Sequence, residues 1–179
     1  LQHIADRQLS AMRRGITKRG TEELIARLRR EVPGIAIRTT LLVGFPGESE
    51  EDFAELTDFV ERQRFERLGV FPYSAEEGTP SAEMADDVPE EVKQARVERI
   101  MELQRNISHE ANVARIGRKL RVVVDRREGD YYVARSEYDS PEVDQEILIP
   151  VAEGRLLPGE FREVVVTACE EYDLYGRLA

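Results

Sequence analysis

Cysteine, tryptophan and histidine are scarce in this chain, and their scarcity excludes several kinds of site. Cys169 is the only cysteine, so the chain contains no disulfide framework and no thiolate metal site of its own. There is no tryptophan, and the two histidines, His3 and His109, lack the sequence partners of a metal site or a catalytic triad. A lone cysteine in a predicted strand favours a buried thiol in a reducing compartment, and we expect a cytoplasmic protein.

Long apolar stretches are also missing. No run approaches the ~20 residues that a membrane-spanning helix requires, and the first residues do not form a secretory signal. Hydrophobic residues make up 41% and charged residues 35% of the chain, a balance typical of a globular protein. The chain begins at Leu1 without a methionine, from which we expect a piece of a longer protein.

Positive charge is in the minority. The 36 Asp and Glu outnumber the 26 Lys and Arg, and the formal net charge is −10. Such a chain has little general affinity for phosphate backbones, so we expect no membrane partner and no strong direct binding to nucleic acid. A basic protein partner suits this charge better.

The first half of the chain alternates helical and strand-like stretches. Apolar residues recur at helical spacing over residues 21–32, and a run rich in β-branched residues covers residues 35–43. Ser49 and Asp52 have the spacing of a capping box that begins the next helix, and a second short strand covers residues 68–71. This order predicts an α/β arrangement of two parallel strands joined by a right-handed helical connection.

The second half has a different pattern. Pro89 and the acids after it begin a long helix that extends to about residue 116 and ends at Gly117. Short strand patterns separated by Gly, Pro and Asp turns follow at residues 121–124, 131–134, 146–149, 163–167 and 174–178. Strands of this length and spacing predict a small closed β-barrel. We therefore predict two domains, residues 1–116 with the linker helix and residues 117–179.

Several motifs resemble one known family. The stretches LQHIADRQLSAMRRG (1–15), TTLLVGFPGESEEDF (39–53) and VFPYSAEEGTPSA (70–82) are similar to the second half of the barrel in radical S-adenosylmethionine (SAM) methylthiotransferases. Residues 86–108 resemble the linker helix of that family, and residues 117–179 resemble its TRAM domain, a small OB-like β-barrel. The resemblance implies the C-terminal part of a radical-SAM (β/α) barrel followed by a TRAM domain.

Further residues resemble one type within this family, the RimO type, which methylthiolates an aspartate of a small-subunit ribosomal protein. They are Glu76-Glu77, ARSEYDSPEVDQEILI (134–149) and YDLYG (172–176). Residues 117–179 contain nine Lys and Arg against fourteen Asp and Glu, a balance of −5 that suits a basic ribosomal protein better than tRNA. Two alternatives stay open: a tRNA methylthiotransferase of the same family, and a ribosomal-protein binding module without catalysis of its own.

The resemblance also implies the chemistry of the longer protein. In this family a reduced [4Fe–4S] cluster cleaves SAM, the resulting 5′-deoxyadenosyl radical abstracts a hydrogen from carbon, and sulfur and a methyl group are then added. Three cysteines bind that cluster, and a separate N-terminal domain holds a second one. Neither feature occurs in this sequence. We therefore expect the cluster ligands outside this chain, no catalytic or metal-binding residue within it, and no activity from this piece alone.

One group of residues is predicted to bind the SAM cofactor. These candidates are Gln2, Arg14, Gly44, Gly47, Glu48 and Tyr73. Residues 44–48 follow a strand at its carboxyl end, where α/β barrels hold ligands, although a turn of this kind also occurs for structural reasons. Similar barrels use a Gln and an Arg at the positions of Gln2 and Arg14 for ribose and carboxylate, and the alternative for Arg14 is a solvated charge. Tyr73 either stacks on adenine or belongs to the core.

A second group is predicted to contact a basic protein substrate. It consists of the acidic residues Glu76, Glu77, Asp139, Glu142 and Asp144. The first two follow the second predicted strand, and the other three lie in one loop of the predicted barrel. For the two glutamates, and equally for the three acids of the loop, the alternative is an ordinary solvated surface.

Overall fold

Helices and strands alternate along the first part of the chain. In order they are α1 (Asp6–Ala11), α2 (Lys18–Glu31), β1 (Arg38–Val43), α3 (Glu50–Gln63), β2 (Arg67–Pro72), a 3-10 turn (Pro80–Glu83) and α4 (Glu90–Val113). The computed structural model describes residues 1–141 and 143–179, and it divides into two compact units, Leu1–Gln104 and Arg105–Ala179. The boundary falls within α4.

The two strands of the first unit are parallel, as predicted. Their register runs from Arg38 opposite Arg67 to Val43 opposite Pro72. Alternate residues of β1 point into the core, where Leu41 and Val43 are fully buried. The helix between the strands, α3, contributes its own buried side chains, which are Leu56, Phe59 and Val60. Burial of this apolar face is what holds the β-α-β unit together.

Local hydrogen bonds set where these elements begin. Ser49 accepts from the backbone N–H of Asp52 at 3.2 Å, and the Asp52 carboxylate accepts from the N–H of Ser49 at 3.0 Å, so the predicted capping box is confirmed. Helix α2 begins earlier than predicted because the Thr17 side chain caps it. Strand β1 begins later than predicted, at Arg38, because the N–H of Ile37 donates to the Glu66 side chain.

The second unit is built on a closed barrel of five strands. They are β3 (Lys119–Glu128), β4 (Tyr131–Ser136), β5 (Ile147–Pro150), β6 (Phe161–Cys169) and β7 (Leu174–Leu178), in the barrel order β3-β4-β5-β7-β6. All pairs are antiparallel except β5 with β7. The predicted strands and the predicted closed barrel are confirmed.

The barrel interior is apolar and tightly filled. Its fully buried side chains include Val122, Ala134, Ile147, Val164 and Leu174. A Cβ on Gly176 of β7 would come within 2.2 Å of Val164 Cγ1. The strand therefore needs a residue without a side chain at this position.

Across the residues that the structure describes, no helix combines the length and the apolar character that a membrane crossing requires.

Candidate functional site

A cavity of about 500 Å³ opens at the carboxyl ends of β1 and β2. Its apolar wall includes Leu42, Phe45, Phe71 and Tyr73, and its polar wall includes Gln2, Arg13, Ser74 and Glu76. This is the edge of an α/β sheet at which ligands generally bind. An apolar cavity with a few convergent polar groups has the character of a small-molecule site.

Two aromatic rings form a fixed part of the cavity wall. Phe45 and Tyr73 meet edge to face with their ring centroids 5.1 Å apart, and both are nearly buried. The N–H of Tyr73 donates to the carbonyl of Val43 at 2.8 Å, and its hydroxyl donates to the carbonyl of Ser81 at 3.0 Å. Tyr73 therefore has a satisfied hydroxyl and a fixed ring, which suits a stacking wall. Phe45 lies in the loop 44–48 that the sequence predicts at a ligand site, although it is not one of the individually named candidates.

The two candidates near the start of the chain are joined to each other. Arg14 Nε donates to Gln2 Oε1 at 3.0 Å, and the carbonyl of Gln2 accepts from the N–H of Leu42 at 2.8 Å. Gln2 lines the cavity, whereas Arg14 does not line it and is hydrogen-bonded to the Gln2 side chain. The arginine that lines the cavity is Arg13, whose backbone is left-handed with φ of 55°. This positive φ belongs to the Schellman turn that ends α1, in which the N–H of Arg13 donates to the carbonyl of Ser10 and the N–H of Arg14 donates to that of Leu9.

Residues 44–48 form a tight loop directly after β1. Gly44 and Gly47 have φ of 72° and 77°, and the N–H of Glu48 donates to the carbonyl of Phe45 at 2.9 Å. A Cβ on Gly44 would come within 2.3 Å of Lys93 Cγ, so glycine is required both for the backbone angle and for the close approach of α4. Phe45 is the residue of this loop that lines the cavity.

The side chain of Glu48 is engaged inside the protein. Its Oε2 accepts from the N–H of Gly44 at 2.8 Å and its Oε1 accepts from Arg96 Nη1 at 2.8 Å. His3 Nε2 lies 3.6 Å from the same carboxylate, and both side chains are fully buried. Direct contact of Glu48 with a ligand stays a prediction, and in this structure the carboxylate holds the loop together.

Asp52 connects the start of α3 to α1. Its carboxylate accepts from Arg7, from Gln8 Nε2 at 3.0 Å and from the N–H of Ser49 at 3.0 Å. Burial acts to raise the pKa of Asp52, but the hydrogen bonds from Arg7, Ser49 and Gln8 outweigh it and lower the pKa from 3.8 to about 2. Arg7 also donates to the carbonyl of Gly47 at 2.7 Å, so this cluster supports the loop from the side of α1.

The predicted substrate contacts differ in their exposure. Glu76 and Glu77 are exposed, and Glu76 lines the cavity. Asp144 is half-buried and accepts from the N–H of Ser140 at 2.8 Å. Glu142 lies outside the described residues.

Asp139 requires a correction. The prediction places it on an acidic surface, but it is only 6% exposed and accepts from the Ser136 hydroxyl at 2.5 Å. Its carboxylate closes the turn after β4, and its contact with a substrate stays a prediction.

Cys169 ends β6 as a free, half-buried thiol beside the barrel core. Within residues 1–141 and 143–179, no group of three or more His, Cys, Asp or Glu side chains is arranged to hold a metal ion.

The barrel belongs to a known class of domain. Residues 116–179 match the family model of the TRAM domain, so the five-stranded barrel and the segment leading into it are a TRAM domain.

The whole chain is similar to a group of curated enzymes. It is 52% identical over 179 residues to the ribosomal protein uS12 methylthiotransferase RimO of Bacteroides thetaiotaomicron. The matched region covers 99% of this chain and 41% of the relative. The identity to the protein of the same name is 56% over 180 residues in Porphyromonas gingivalis, covering 99% of this chain and 42% of the relative. The chain is thus similar to RimO methylthiotransferases along essentially its whole length, and it spans about two fifths of the length of these relatives.

Proposed function

We propose that this chain is the C-terminal portion of a radical-SAM methylthiotransferase that modifies an aspartate of the small-subunit ribosomal protein uS12. The main support is the 52% identity over essentially the whole chain to a uS12 methylthiotransferase. In this proposal residues 1–116 are the last part of the radical-SAM barrel with its linker helix, and residues 117–179 contact the protein substrate. A ribosomal substrate and a free thiol both favour a cytoplasmic location.

The cavity at the ends of β1 and β2 fits one side of a SAM site. Phe45 and Tyr73 offer aromatic surface for adenine, and Gln2 offers an amide that can both donate to and accept from ribose hydroxyls. Arg13 lines the cavity and Arg14 is hydrogen-bonded to Gln2, and a guanidinium matches the geometry of a carboxylate. When SAM is bound beside a reduced cluster, it supplies the radical that abstracts hydrogen from the substrate.

The residues of this chain contribute binding and exclusion of water. The buried pair of Phe45 and Tyr73 closes one wall, so a cofactor there is shielded from solvent on that side. Gln2 is fixed by its backbone bond to β1 and by Arg14, so its amide is presented in one orientation. Fixed donors lose little entropy when they bind a ligand. The chemistry itself belongs to the cofactor and to cluster ligands that we expect outside this chain.

The acidic balance of the TRAM domain supports a protein substrate. Its −5 charge gives tRNA phosphates no counterion-release gain, whereas a basic ribosomal protein is attracted. The exposed Glu76 and Glu77 add negative charge beside the cavity mouth.

The test uses the full-length protein with its clusters reconstituted. It is incubated with SAM, a sulfur source and either uS12 or tRNA, and the products are analysed by mass spectrometry. We expect methylthiolation of one aspartate of uS12 and none of tRNA. Modification of tRNA, or the absence of a Cys-x₃-Cys-x₂-Cys segment upstream of Leu1, would refute the proposal. A variant lacking residues 117–179 should still cleave SAM but lose uS12 binding.

A further inference from the structure

We infer that Arg96 and Lys93 of α4 are positioning residues for the cofactor cavity. They lie behind its wall and hold residues 44–48, the loop that contributes Phe45 to that wall. The inference rests on the proposed function, because it takes the cavity to be the SAM site. The linker helix then has a role in cofactor binding in addition to connecting two domains.

Arg96 is buried against the loop with three hydrogen bonds. Its Nη1 donates to Glu48 Oε1 at 2.8 Å and to the Glu48 carbonyl at 3.3 Å, and its Nη2 donates to Glu50 Oε1 at 2.5 Å. The guanidinium also lies over the ring of Phe53 at 5.2 Å, and the side chain is only 5% exposed. A guanidinium placed in this way fixes both the end of the loop and the first turn of α3.

Glu48 connects Arg96 to the other end of the loop. The carboxylate oxygen that Arg96 does not bind accepts from the N–H of Gly44 at 2.8 Å. One carboxylate thus joins the first residue of the loop, its last residue and α4. Because Phe45 is bonded to Gly44 and its carbonyl accepts from Glu48, the position of its ring depends on this link.

Lys93 acts one helical turn before Arg96, on the same face of α4. Its stem packs against Gly44, where a Cβ would come within 2.3 Å of Lys93 Cγ. Its ammonium lies 5.4 Å from the centre of the Tyr73 ring and donates to Asp86 Oδ2 at 2.6 Å. The side chain is 4% exposed, so a cation is buried behind the second ring of the cavity wall. Both rings of that wall are therefore supported from α4.

A buried ion pair of this kind adds little to stability compared with an apolar pair of the same shape. Its geometric effect is more specific, since the bonds of Glu48 to Arg96 and to Gly44 define one loop conformation. This difference gives the experiment its readout. A residue that only stabilises the fold changes the fraction of folded protein, whereas a positioning residue changes the affinity of the folded protein for SAM.

The experiment measures SAM binding to the full-length, cluster-loaded protein by titration calorimetry, which gives affinity and the fraction of competent protein separately. Arg96→Gln should raise the dissociation constant for SAM at least about tenfold with stoichiometry unchanged, and Arg96→Lys should recover part of that loss. Lys93→Met keeps the stem but removes the charge, and should weaken binding less. The matched control is Arg99→Gln, because Arg99 is an exposed arginine of the same helix paired with Glu102.

A second measurement needs no cofactor. Hydrogen exchange of residues 44–48 in SAM-free protein should be faster in Arg96→Gln than in wild type or in Arg99→Gln. Wild-type affinity in Arg96→Gln and Lys93→Met, or a fall in stoichiometry alone, would overturn the inference. If wild type binds no SAM, the proposed function fails and the cofactor role fails with it. Faster exchange in the variant would then identify a purely structural contact.

Discussion

Gln145 Nε2 donates to Asn112 Oδ1 at 2.8 Å, so the last turn of α4 and the segment before β5 are joined by two buried amides. The same nitrogen donates to the carbonyl of Tyr172 at 2.6 Å, and Gln145 Oε1 accepts from Arg115. Asn112 in turn donates to the carbonyl of Glu171 at 3.2 Å. These bonds satisfy the carbonyls of Glu171 and Tyr172, which lie between β6 and β7 of the TRAM domain.

Replacing Gln145 should therefore destabilise the TRAM domain. Gln145→Leu leaves Asn112 Oδ1 and the Tyr172 carbonyl without this buried donor, a loss of about 1–3 kcal/mol in the free energy of unfolding. Urea unfolding of the 179-residue chain can be followed by tyrosine fluorescence, because there is no tryptophan and five of the six tyrosines follow residue 104. The control is Gln94→Leu, an exposed glutamine of α4. Equal midpoints for the two variants would contradict the prediction.

Asp52 should give the first unit a stability that depends on acid pH. Its pKa is lowered to about 2 from 3.8, so the folded state favours the carboxylate. The resulting stabilisation, up to about 2 kcal/mol, is complete above pH 4 and is lost as the pH falls from about 4 towards 2. Asp52→Asn should remove most of this dependence while leaving the chain less stable at neutral pH.

Thermal unfolding across that pH range, followed by helical circular dichroism, measures the effect of Asp52. Asp58→Asn, at an exposed position of the same helix, is the matched control. An Asp52→Asn variant whose acid dependence equals that of wild type would mean that other carboxylates dominate.

Features formed by neighbours in the sequence were predictable. The capping box of Ser49 and Asp52, the parallel pair β1 and β2, and the barrel strands all follow from patterns a few residues long. The contacts that hold the cavity loop have no such pattern. Arg96 and Glu48 are 48 residues apart, and helical periodicity indicates only that Arg96 and Lys93 share a face. What that face packs against depends on tertiary structure.

The cavity itself shows the same division. Gln2 is implied by the resemblance to similar barrels and Tyr73 is indicated by its place after the second strand, and both line the cavity. Which of Arg13 and Arg14 lines the cavity could not be predicted from the sequence. It depends on the left-handed turn after α1, which directs adjacent side chains differently. Asp139 was predicted as a surface acid because nothing in the sequence distinguishes it from one whose carboxylate closes a turn.

Arg14 should affect SAM binding through Gln2. In the full-length protein, Arg14→Ala removes the hydrogen bond that orients the Gln2 amide and any direct contact with the carboxylate of SAM. We expect binding to weaken by about 1–3 kcal/mol. Arg13→Ala provides the comparison, because Arg13 lines the cavity, and Arg27→Ala on the exposed face of α2 provides the control. Calorimetry in which the Arg14 variant matches the Arg27 variant would mean that Arg14 is a solvated charge.

The last prediction concerns the sign of charge on the TRAM domain. With a balance of −5, residues 117–179 should attract a basic ribosomal protein and accelerate its association, and added salt should reduce the rate. We expect the loop containing Glu142 and Asp144 to contribute, so Glu142→Lys with Asp144→Lys should slow association in the full-length protein. SAM cleavage in the absence of substrate should be unchanged, because the substitutions lie in the TRAM domain.

A neutral variant separates this charge effect from a change in loop structure. Glu142→Gln with Asp144→Asn keeps an oxygen that can accept from the N–H of Ser140, a bond that Asp144 now makes at 2.8 Å. If charge is responsible, the association rate at low salt should fall in the order wild type, neutral variant, reversed variant, and the three rates should converge as ionic strength rises. Rates measured by stopped flow with uS12 provide this series. Three rates that are equal at low salt, or a wild-type rate that does not change with salt, would mean that this loop is ordinary solvated surface.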